Sequence, residues 1–278
     1  MAVPSPAFLD ESAYGQFTAW PTSRGWNSST HLARINFGHG DENAYVKLIF
    51  TDAFPALANE AIGWQLAHAC NIPAASRAAI MIGSAEFWRE TLGSLPSGCP
   101  TTGDIPAWCI ASCATLDQHT WINMDNDAAV TMLLKCPRGQ QIAAFGTWLH
   151  HPDQHPGNLL RIGSNDWAII DHELLFNGVL GNWRKPPARR DFSTPPFLLK
   201  HLDSLVARSR ISHKVDSDIR SAMIHYASQH ITAIGKAMPY LADVLEKVEP
   251  PATAKSVLPL IVDRAWNFWM PSTVNKLA

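Results

Sequence analysis

The sequence predicts an α+β protein with a small β-rich N-terminal lobe, residues 1–110, and a larger helical C-terminal lobe, residues 111–278. Three observations support this prediction. Short alternating apolar and polar stretches dominate the first third of the chain, helical spacing of apolar residues dominates the second half, and 46% of the residues are hydrophobic. With 278 residues, the chain has room for one large domain or two modest lobes.

The first lobe is predicted to open with a β-hairpin whose second arm carries Lys47. A helix follows it and ends near Asn71 and Pro73, which are typical helix-stop residues. In chain order, the predicted elements are strand 31–37, turn 38–43, strand 44–50, helix 55–70, strand 77–82 and strand 108–112. We expect the hinge to the second lobe near residues 106–112.

The second lobe is predicted to be mostly helical, with one short two-stranded element. Its predicted elements are helix 127–134, helix 140–150, strand 159–162, strand 167–170, a helical pattern over 215–234 and another over 256–270. The pattern over 215–234 is the clearest, because its apolar residues recur every three or four positions.

Composition excludes several classes of protein. The net charge is −2, from 22 basic and 24 acidic residues, which argues against a general electrostatic affinity for nucleic acid or anionic membranes. No apolar stretch reaches the roughly 18 residues that a spanning helix needs, and the first residues lack the features of a signal peptide. We therefore expect a soluble, cytoplasmic protein.

The five cysteines include no CxxC pair, so neither a zinc ribbon nor a disulfide framework is indicated. Cys109 and Cys113 are close enough in sequence to pair. Buried free thiols are the favoured interpretation, because this is the usual state of cysteine in the cytoplasm.

The stretch 150–173 concentrates polar side chains that can carry chemistry. Asp153 and Asn158 are five residues apart across a Pro-Gly break, so they belong to a loop, and Asp171 follows an apolar strand. One carboxylate in such an arrangement can face a hydroxyl, while an amide and a second carboxylate bind a hard cation. Mg²⁺ prefers oxygen ligands of this kind together with phosphate.

The order of the polar residues along the chain carries a family resemblance. Lys47 lies on a strand, Glu60 on the next helix, Asp153 and Asn158 in a loop, and Asp171 after a second apolar strand. This order resembles kinases of the atypical branch that includes HipA-like kinases and phosphatidylinositol kinases. In that branch the catalytic loop reads approximately Asp-Arg-His-x-x-Asn, and the metal-binding acid often stands in Ile-Asp-His.

The matching segments of this chain are DQHPGN at 153–158 and WAIIDH at 167–172. Residues 59–67 and 71–73 likewise resemble the N-lobe helix and the following turn of the bacterial HipA-like group. In total the resemblance covers about residues 25–180. It implies a two-lobed, protein-kinase-like fold with a nucleotide cleft, and ATP- and Mg²⁺-dependent transfer of a phosphoryl group to a hydroxyl, with Ser or Thr of a protein as the expected acceptor.

The same resemblance implies a role for each matching residue. Lys47 would contact the nucleotide phosphates and Glu60 would orient that lysine. Asp153 would orient or deprotonate the acceptor hydroxyl, while Asn158 and Asp171 would hold Mg²⁺.

Further roles are implied for the neighbouring residues. His155 would support the loop or the transferring phosphoryl group. Ser28 and Ser29, in the hydroxyl-rich loop 23–30, would cover the phosphates, since no GxGxxG precedes the lysine.

The chain also departs from the family pattern. Gln154 stands where this group often has Arg, so we expect different electrostatics on the substrate side. No Ala-Pro-Glu segment follows Asp171, which argues against an ordinary eukaryotic-type protein kinase. The resemblance is to a short form without the extra N-terminal region of HipA toxins. Toxin behaviour therefore does not carry over directly, and an antitoxin-like protein stays a candidate partner.

Two alternative functions remain open from the sequence. His150, His151, Asp153 and His155 could bind Zn²⁺ in a metal-dependent hydrolase, although neither HxHxDH nor HExxH occurs. A pseudokinase that binds ATP without transferring phosphate is the second alternative. The basic segment 184–190 is interpreted as a solvated loop rather than a nucleic-acid site.

Overall fold

The computed structural model describes residues 2–20, 29–50, 55–111, 126–162, 166–176, 192, 195–266 and 273–274. Ser28, Cys113 and the basic segment 184–190 lie outside these ranges. In chain order the strands and helices are β1 (Ala7–Leu9), β2 (Tyr14–Ala19), β3 (Thr30–Asn36), β4 (Asp41–Leu48), α1 (Ala56–Ala69), β5 (Ala78–Ser84), α2 (Ala85–Leu92), β6 (Asp104–Ala111), α3 (Asn126–Leu134), α4 (Pro137–Trp148), β7 (Leu159–Arg161), β8 (Trp167–Ile169), α5 (Phe197–Ala207), α6 (His213–Ala227), α7 (His230–Val248) and α8 (Pro251–Trp266). The predicted α+β class, with a β-rich N-terminal part and a larger helical C-terminal part, is confirmed.

The chain groups into two compact units. The β unit consists of Pro4–Asp52 and Ala75–Asp117, and the helical unit consists of Met1–Val3, Ala53–Ala74 and Gln118–Ala278. The grouping differs from the predicted lobes in assigning α1 to the helical unit. The physical reason is that α1 is buried on nearly every face and packs against α7, as expected of a helix that has no polar stripe. The lobe boundary at residue 110 stays a prediction.

A six-stranded sheet forms the β unit, with strand order β1-β5-β6-β4-β3-β2. Every neighbouring pair is antiparallel except β1 and β5, which are parallel. The predicted hairpin is β3–β4, and its turn is closed by Asn36, whose Oδ1 accepts from the backbone N–H of Gly38 at 2.8 Å. Gly38 and Gly40 have φ values of +97° and +108°, which glycine adopts without the strain that a Cβ would cause.

The segment Pro106–Ala111 of the predicted hinge is a strand, and the hinge itself stays a prediction. These residues belong to β6, which pairs with β4 on one side and β5 on the other. The connection that follows, at residues 112–125, lies outside the described ranges.

Three elements of the β unit were not predicted: β1, β2 and α2. The first is only three residues long, too short for a period to show in the sequence. Helix α2 carries recognisable end signals, because Ser84 Oγ accepts from Phe87 N at 3.1 Å and Gly93 ends the helix at φ +74°.

The helical unit has its own apolar core, built from α1 and from α3 to α8. The pattern predicted as one helix over 215–234 is two helices, α6 and α7, which meet at Ser228 and Gln229. Both of these residues have right-handed helical φ and ψ, so the spacing of apolar residues continues across the break. None of the helices within the described ranges has the length and apolar character needed to cross a membrane.

The cysteines that the structure describes are free thiols, of which Cys109 and Cys136 are buried, as predicted, whereas Cys70 and Cys99 are only partly buried. Burial raises the pKa of Cys70 to about 12, although the positive charge of Lys236 acts in the opposite direction. The Cys70 thiol is therefore protonated and a poor nucleophile at neutral pH.

Candidate functional site

The predicted catalytic loop runs from the end of α4 to the start of β7. It contains a 3₁₀ turn at Pro156–Asn158, and its backbone leaves α4 through His150 at φ +49°. Asn158 is buried, and its Nδ2 donates to the backbone oxygen of Asp153 at 2.8 Å and lies 3.4 Å from that residue's Oδ2. The structure therefore brings together the two residues that the sequence placed in this loop, and Asn158 Oδ1 is the amide atom suited to a cation.

Asp171 follows the second strand of a small hairpin, two residues after its end and directly beside that loop. Leu159 in β7 pairs with Ile169 in β8, and the next residue, Ile170, donates its N–H to the oxygen of Asn158 at 3.1 Å. Asp171 is half-buried and has a φ of +61°, an uncommon value for a residue other than glycine. Asp153, Asn158 and Asp171 thus belong to one hydrogen-bonded arrangement, which we call the loop–hairpin site.

His151 joins the two halves of the loop–hairpin site. Its Nε2 lies 3.0 Å from the backbone oxygen of Asp171, and its Nδ1 accepts from the N–H of Asp153 at 3.3 Å. Since a carbonyl can only accept, Nε2 must carry the proton and Nδ1 must be bare. The ring is buried, so it fixes the distance between the backbones of Asp153 and Asp171.

Glu60, on α1, lies close to Asp171. Its buried side chain accepts from the N–H of His172 at 2.9 Å through Oε2. Carboxylate oxygens of Glu60, Asp171 and Glu173 all lie within 4.8 Å of one another. The structure therefore groups Glu60 with the predicted metal-binding acid, while its predicted orientation of Lys47 stays a prediction.

Helix α1 also holds the segment that follows Asp171. Asn59 Nδ2 donates to the oxygen of Glu173 at 2.6 Å and lies 3.3 Å from the oxygen of Leu175. A Cβ added at Gly63 would overlap His172, whose own Cβ and Cδ2 would be 2.5 and 2.7 Å away. Only glycine lets the helix approach this closely, which the sequence did not reveal.

His155 is placed as a supporting residue of the loop. Its Nδ1 accepts from the N–H of Gly157 at 2.9 Å, and its Nε2 lies 3.7 Å from Asp153 Oδ1. The half-exposed Nε2 can therefore influence the carboxylate that we expect to face the acceptor. Its contact with a transferring phosphoryl group stays a prediction.

Gln154 of the predicted catalytic loop has a buried side chain. The side chain is 2% exposed and packs against Gly146 of α4, where an added Cβ would lie 2.8 Å from Gln154 Cδ. It therefore points into the helical unit, and the expected difference in electrostatics on the substrate side stays a prediction.

The four residues of the hydrolase alternative do not assemble into a zinc site. His151 uses both ring nitrogens on backbone atoms, and His155 uses Nδ1 in the same way. Within the described ranges, the one group of three or more potential metal ligands found close together is Glu60, Asp171 and Glu173. These are hard oxygen donors, which suit Mg²⁺ rather than a histidine-bound Zn²⁺.

The β unit holds the predicted phosphate-contacting residues. Lys47 lies on β4 between Thr30 and Trp108 of the neighbouring strands, on the face opposite the core residues Val46 and Leu48. Ser29 is buried, and its backbone oxygen accepts from the N–H of Leu48 at 3.1 Å. This end of the hydroxyl-rich loop is therefore held beside Lys47.

No family model matches the chain, and no curated protein matches it. Among solved structures, the chain is similar to the proinflammatory kinase CtkA of Helicobacter pylori. The TM-score is 0.43 and the identity 10%, with 99% of this chain and 97% of that chain covered. At these values the similarity assigns neither a family nor an activity to this chain.

Proposed function

We propose that this protein is an ATP- and Mg²⁺-dependent kinase that transfers the γ-phosphoryl group to a hydroxyl, with Ser or Thr of a protein as acceptor. The observation that carries the proposal is the loop–hairpin site: Asn158 donates to Asp153, and the residue before Asp171 donates to Asn158. This arrangement supports the roles that the resemblance to the HipA-like group implies for these three residues.

In the proposed reaction, Asp153 accepts a hydrogen bond from the acceptor hydroxyl. The hydroxyl oxygen forms a bond to the γ-phosphorus as the bond to the β–γ bridging oxygen breaks, and ADP leaves. The hydroxyl proton passes to the Asp153 carboxylate or to the product phosphate. Because the transition state is loose, the protein contributes mainly positioning and charge neutralisation.

Asn158 Oδ1 and the Asp171 carboxylate are the atoms that would hold Mg²⁺. When bound, this ion would neutralise triphosphate charge. Glu60 and Glu173 add negative charge within 4.8 Å of Asp171, which favours a cation at this position. A site with one amide and few carboxylates, completed by phosphate oxygens, matches the usual ligands of Mg²⁺.

Lys47 and Ser29 are assigned to the nucleotide phosphates by the sequence resemblance. Two details of the β unit agree with this role. Lys47 extends from the sheet face opposite the core, and the hydroxyl-rich loop ends beside β4, the strand that contains Lys47.

The test is transfer of label from γ-labelled ATP to proteins of a cell lysate. The wild-type chain should label an acceptor, whereas Asp153→Asn should not, because the substitution removes the charge that orients the hydroxyl. Asp153→Asn should still bind ATP. The exposed Asp243→Asn on α7 is the matched control and should keep wild-type transfer.

Two results would count against the proposal. Wild-type transfer by Asp153→Asn would show that the catalytic assignment is wrong. A wild-type chain that binds Mg-ATP and labels nothing would support the pseudokinase alternative instead.

A further inference from the structure

The helical unit contains a cavity of about 260 Å³ that belongs to no part of the loop–hairpin site. It lies where the end of α1, helix α4 and the junction of α6 with α7 meet. Five of its lining residues matter here: Cys70, Gln141, His230, Thr232 and Lys236.

His230 is a polar group buried at this cavity without a hydrogen bond. The side chain is 3% exposed, and its ring stacks on Trp148 with centroids 4.3 Å apart and planes 17° apart. Trp148 is itself fixed, because its Nε1 donates to the oxygen of Ile261 at 3.2 Å. In the part of the chain that the structure describes, neither ring nitrogen of His230 has a hydrogen-bond partner, and neither is fully buried.

Burial lowers the pKa of His230 to about 3. The ring is therefore neutral at physiological pH, and it offers one N–H donor and one bare nitrogen.

The first turn of α7 supplies further donors to the same cavity. This helix has 19 residues, and no side chain caps its N-terminus. Gln229, His230 and Thr232, at its start, all line the cavity. The first N–H groups of a helix have no partner within it and carry partial positive charge, so they attract anions.

Among the described residues that line the cavity, the charged one is Lys236. Lys236, one and a half turns further along α7, is exposed at the cavity, and its charge lowers the pKa of the Cys70 thiol against the larger effect of burial. None of the described residues that line the cavity is acidic. Gln141 is held by two hydrogen bonds, since its Oε1 accepts from Arg138 Nη1 and its Nε2 donates to the oxygen of Cys70 at 2.8 Å.

We propose that this cavity binds the phosphate group of a small phosphorylated metabolite. A phosphate has three oxygens that can accept from several directions, which suits the helix N–H groups, the Lys236 ammonium, the Thr232 hydroxyl and the His230 N–H. A planar carboxylate would use fewer of these donors. The volume is slightly below the roughly 300 Å³ at which drug-sized sites begin, so it suits a ligand with a few carbon atoms. This proposal does not depend on the proposed kinase activity.

The test is calorimetric titration of the full chain with glycerol 3-phosphate and with inorganic phosphate, and with glycerol as the uncharged control. Both phosphates should bind saturably and glycerol should not. Lys236→Gln should weaken phosphate binding about tenfold, as expected for loss of one charge-assisted contact. Thr232→Val should weaken it several-fold. Lys247→Gln, on the exposed surface of the same helix, is the matched control and should leave binding unchanged.

Lys47→Ala separates this cavity from the proposed nucleotide site, and it should also leave binding unchanged. His230→Gln should weaken binding if the variant folds. If it does not fold, the Lys236 and Thr232 variants still decide the outcome. Absence of heat with both phosphates, equal binding of glycerol, or wild-type affinity in Lys236→Gln would each overturn the proposal.

Discussion

Replacing Gly63 by alanine should disturb the loop–hairpin site from a helix that contains none of its catalytic residues. The added Cβ would overlap His172, the residue directly after Asp171. His172 cannot move aside easily, because the atoms in the overlap are close to its backbone and Glu60 accepts from its N–H. Its ring also packs edge-on against Phe145, with centroids 6.3 Å apart.

The magnitude follows from two opposing effects. Alanine in place of glycine inside a helix stabilises by about 0.5–1 kcal/mol, whereas forcing an extra carbon into a packed core costs about 1–3 kcal/mol. Gly63→Ala should therefore lower the free energy of unfolding, by up to about 2.5 kcal/mol. Gly235→Ala, in α7, is the matched control, since nothing lies within 4 Å of the added carbon, and it should stabilise by about 0.5–1 kcal/mol.

Thermal unfolding of the two variants measures this difference. A domain of this size shifts by about 2–4 °C per kcal/mol, so Gly63→Ala should melt several degrees below Gly235→Ala. Phosphoryl transfer should fall in Gly63→Ala, because the backbone beside Asp171 is displaced, and should stay at the wild-type level in Gly235→Ala. Equal melting temperatures, or a Gly63→Ala variant with full transfer, would refute the reasoning.

Three other predictions concern histidines and the inward-pointing glutamine. His151→Ala should lower kcat for transfer at least tenfold with little change in the affinity for Mg-ATP. Single-turnover kinetics would measure the first quantity and a nucleotide titration the second. Equal losses in kcat and in affinity would contradict a positioning role for His151. Burial lowers the pKa of His31 to about 4. As the pH is lowered from about 6.5 to 4, the unfolded chain therefore binds a proton at His31 that the folded chain does not. The free energy of unfolding falls by about 1.4 kcal/mol per pH unit over this range. Urea unfolding at several pH values should show that the free energy of unfolding of His31→Gln falls less steeply with decreasing pH than that of the wild type. An unchanged slope would disprove the contribution of His31. Gln154→Arg should destabilise the fold, because it places a charge at a buried position; improved transfer with unchanged stability would show that the side chain faces the substrate after all.

Local signals made much of the fold predictable. The β3–β4 hairpin has alternating residues on both sides of a glycine turn, and the loop–hairpin segment combines a Pro-Gly break with two short apolar strands. Helix α1 was predicted within one residue of its ends. In each case the residues that determine the structure are neighbours in the sequence.

Contacts between distant residues were not predictable. Glu60 and His172 are 112 positions apart, and their hydrogen bond depends on α1 lying against the end of β8. The double role of His151 likewise requires Asp171 to lie next to it in space. Periodicity also missed the break between α6 and α7, since a helix that stops and restarts with helical φ and ψ keeps its spacing of apolar residues.

The most direct test of the loop–hairpin site is the melting temperature in ATP, measured with and without Mg²⁺. At a ligand concentration about a hundredfold above its dissociation constant, binding adds roughly 2.7 kcal/mol to the free energy of unfolding, which corresponds to a rise of roughly 5–11 °C for a domain of this size. ATP without metal should do much less, because the triphosphate and the Asp171 carboxylate repel each other. Asp171→Asn should shrink the rise, and Asp153→Asn should keep it. Equal rises with and without Mg²⁺, or none in saturating Mg-ATP, would contradict the assignment of Asn158 and Asp171 to a metal–nucleotide site.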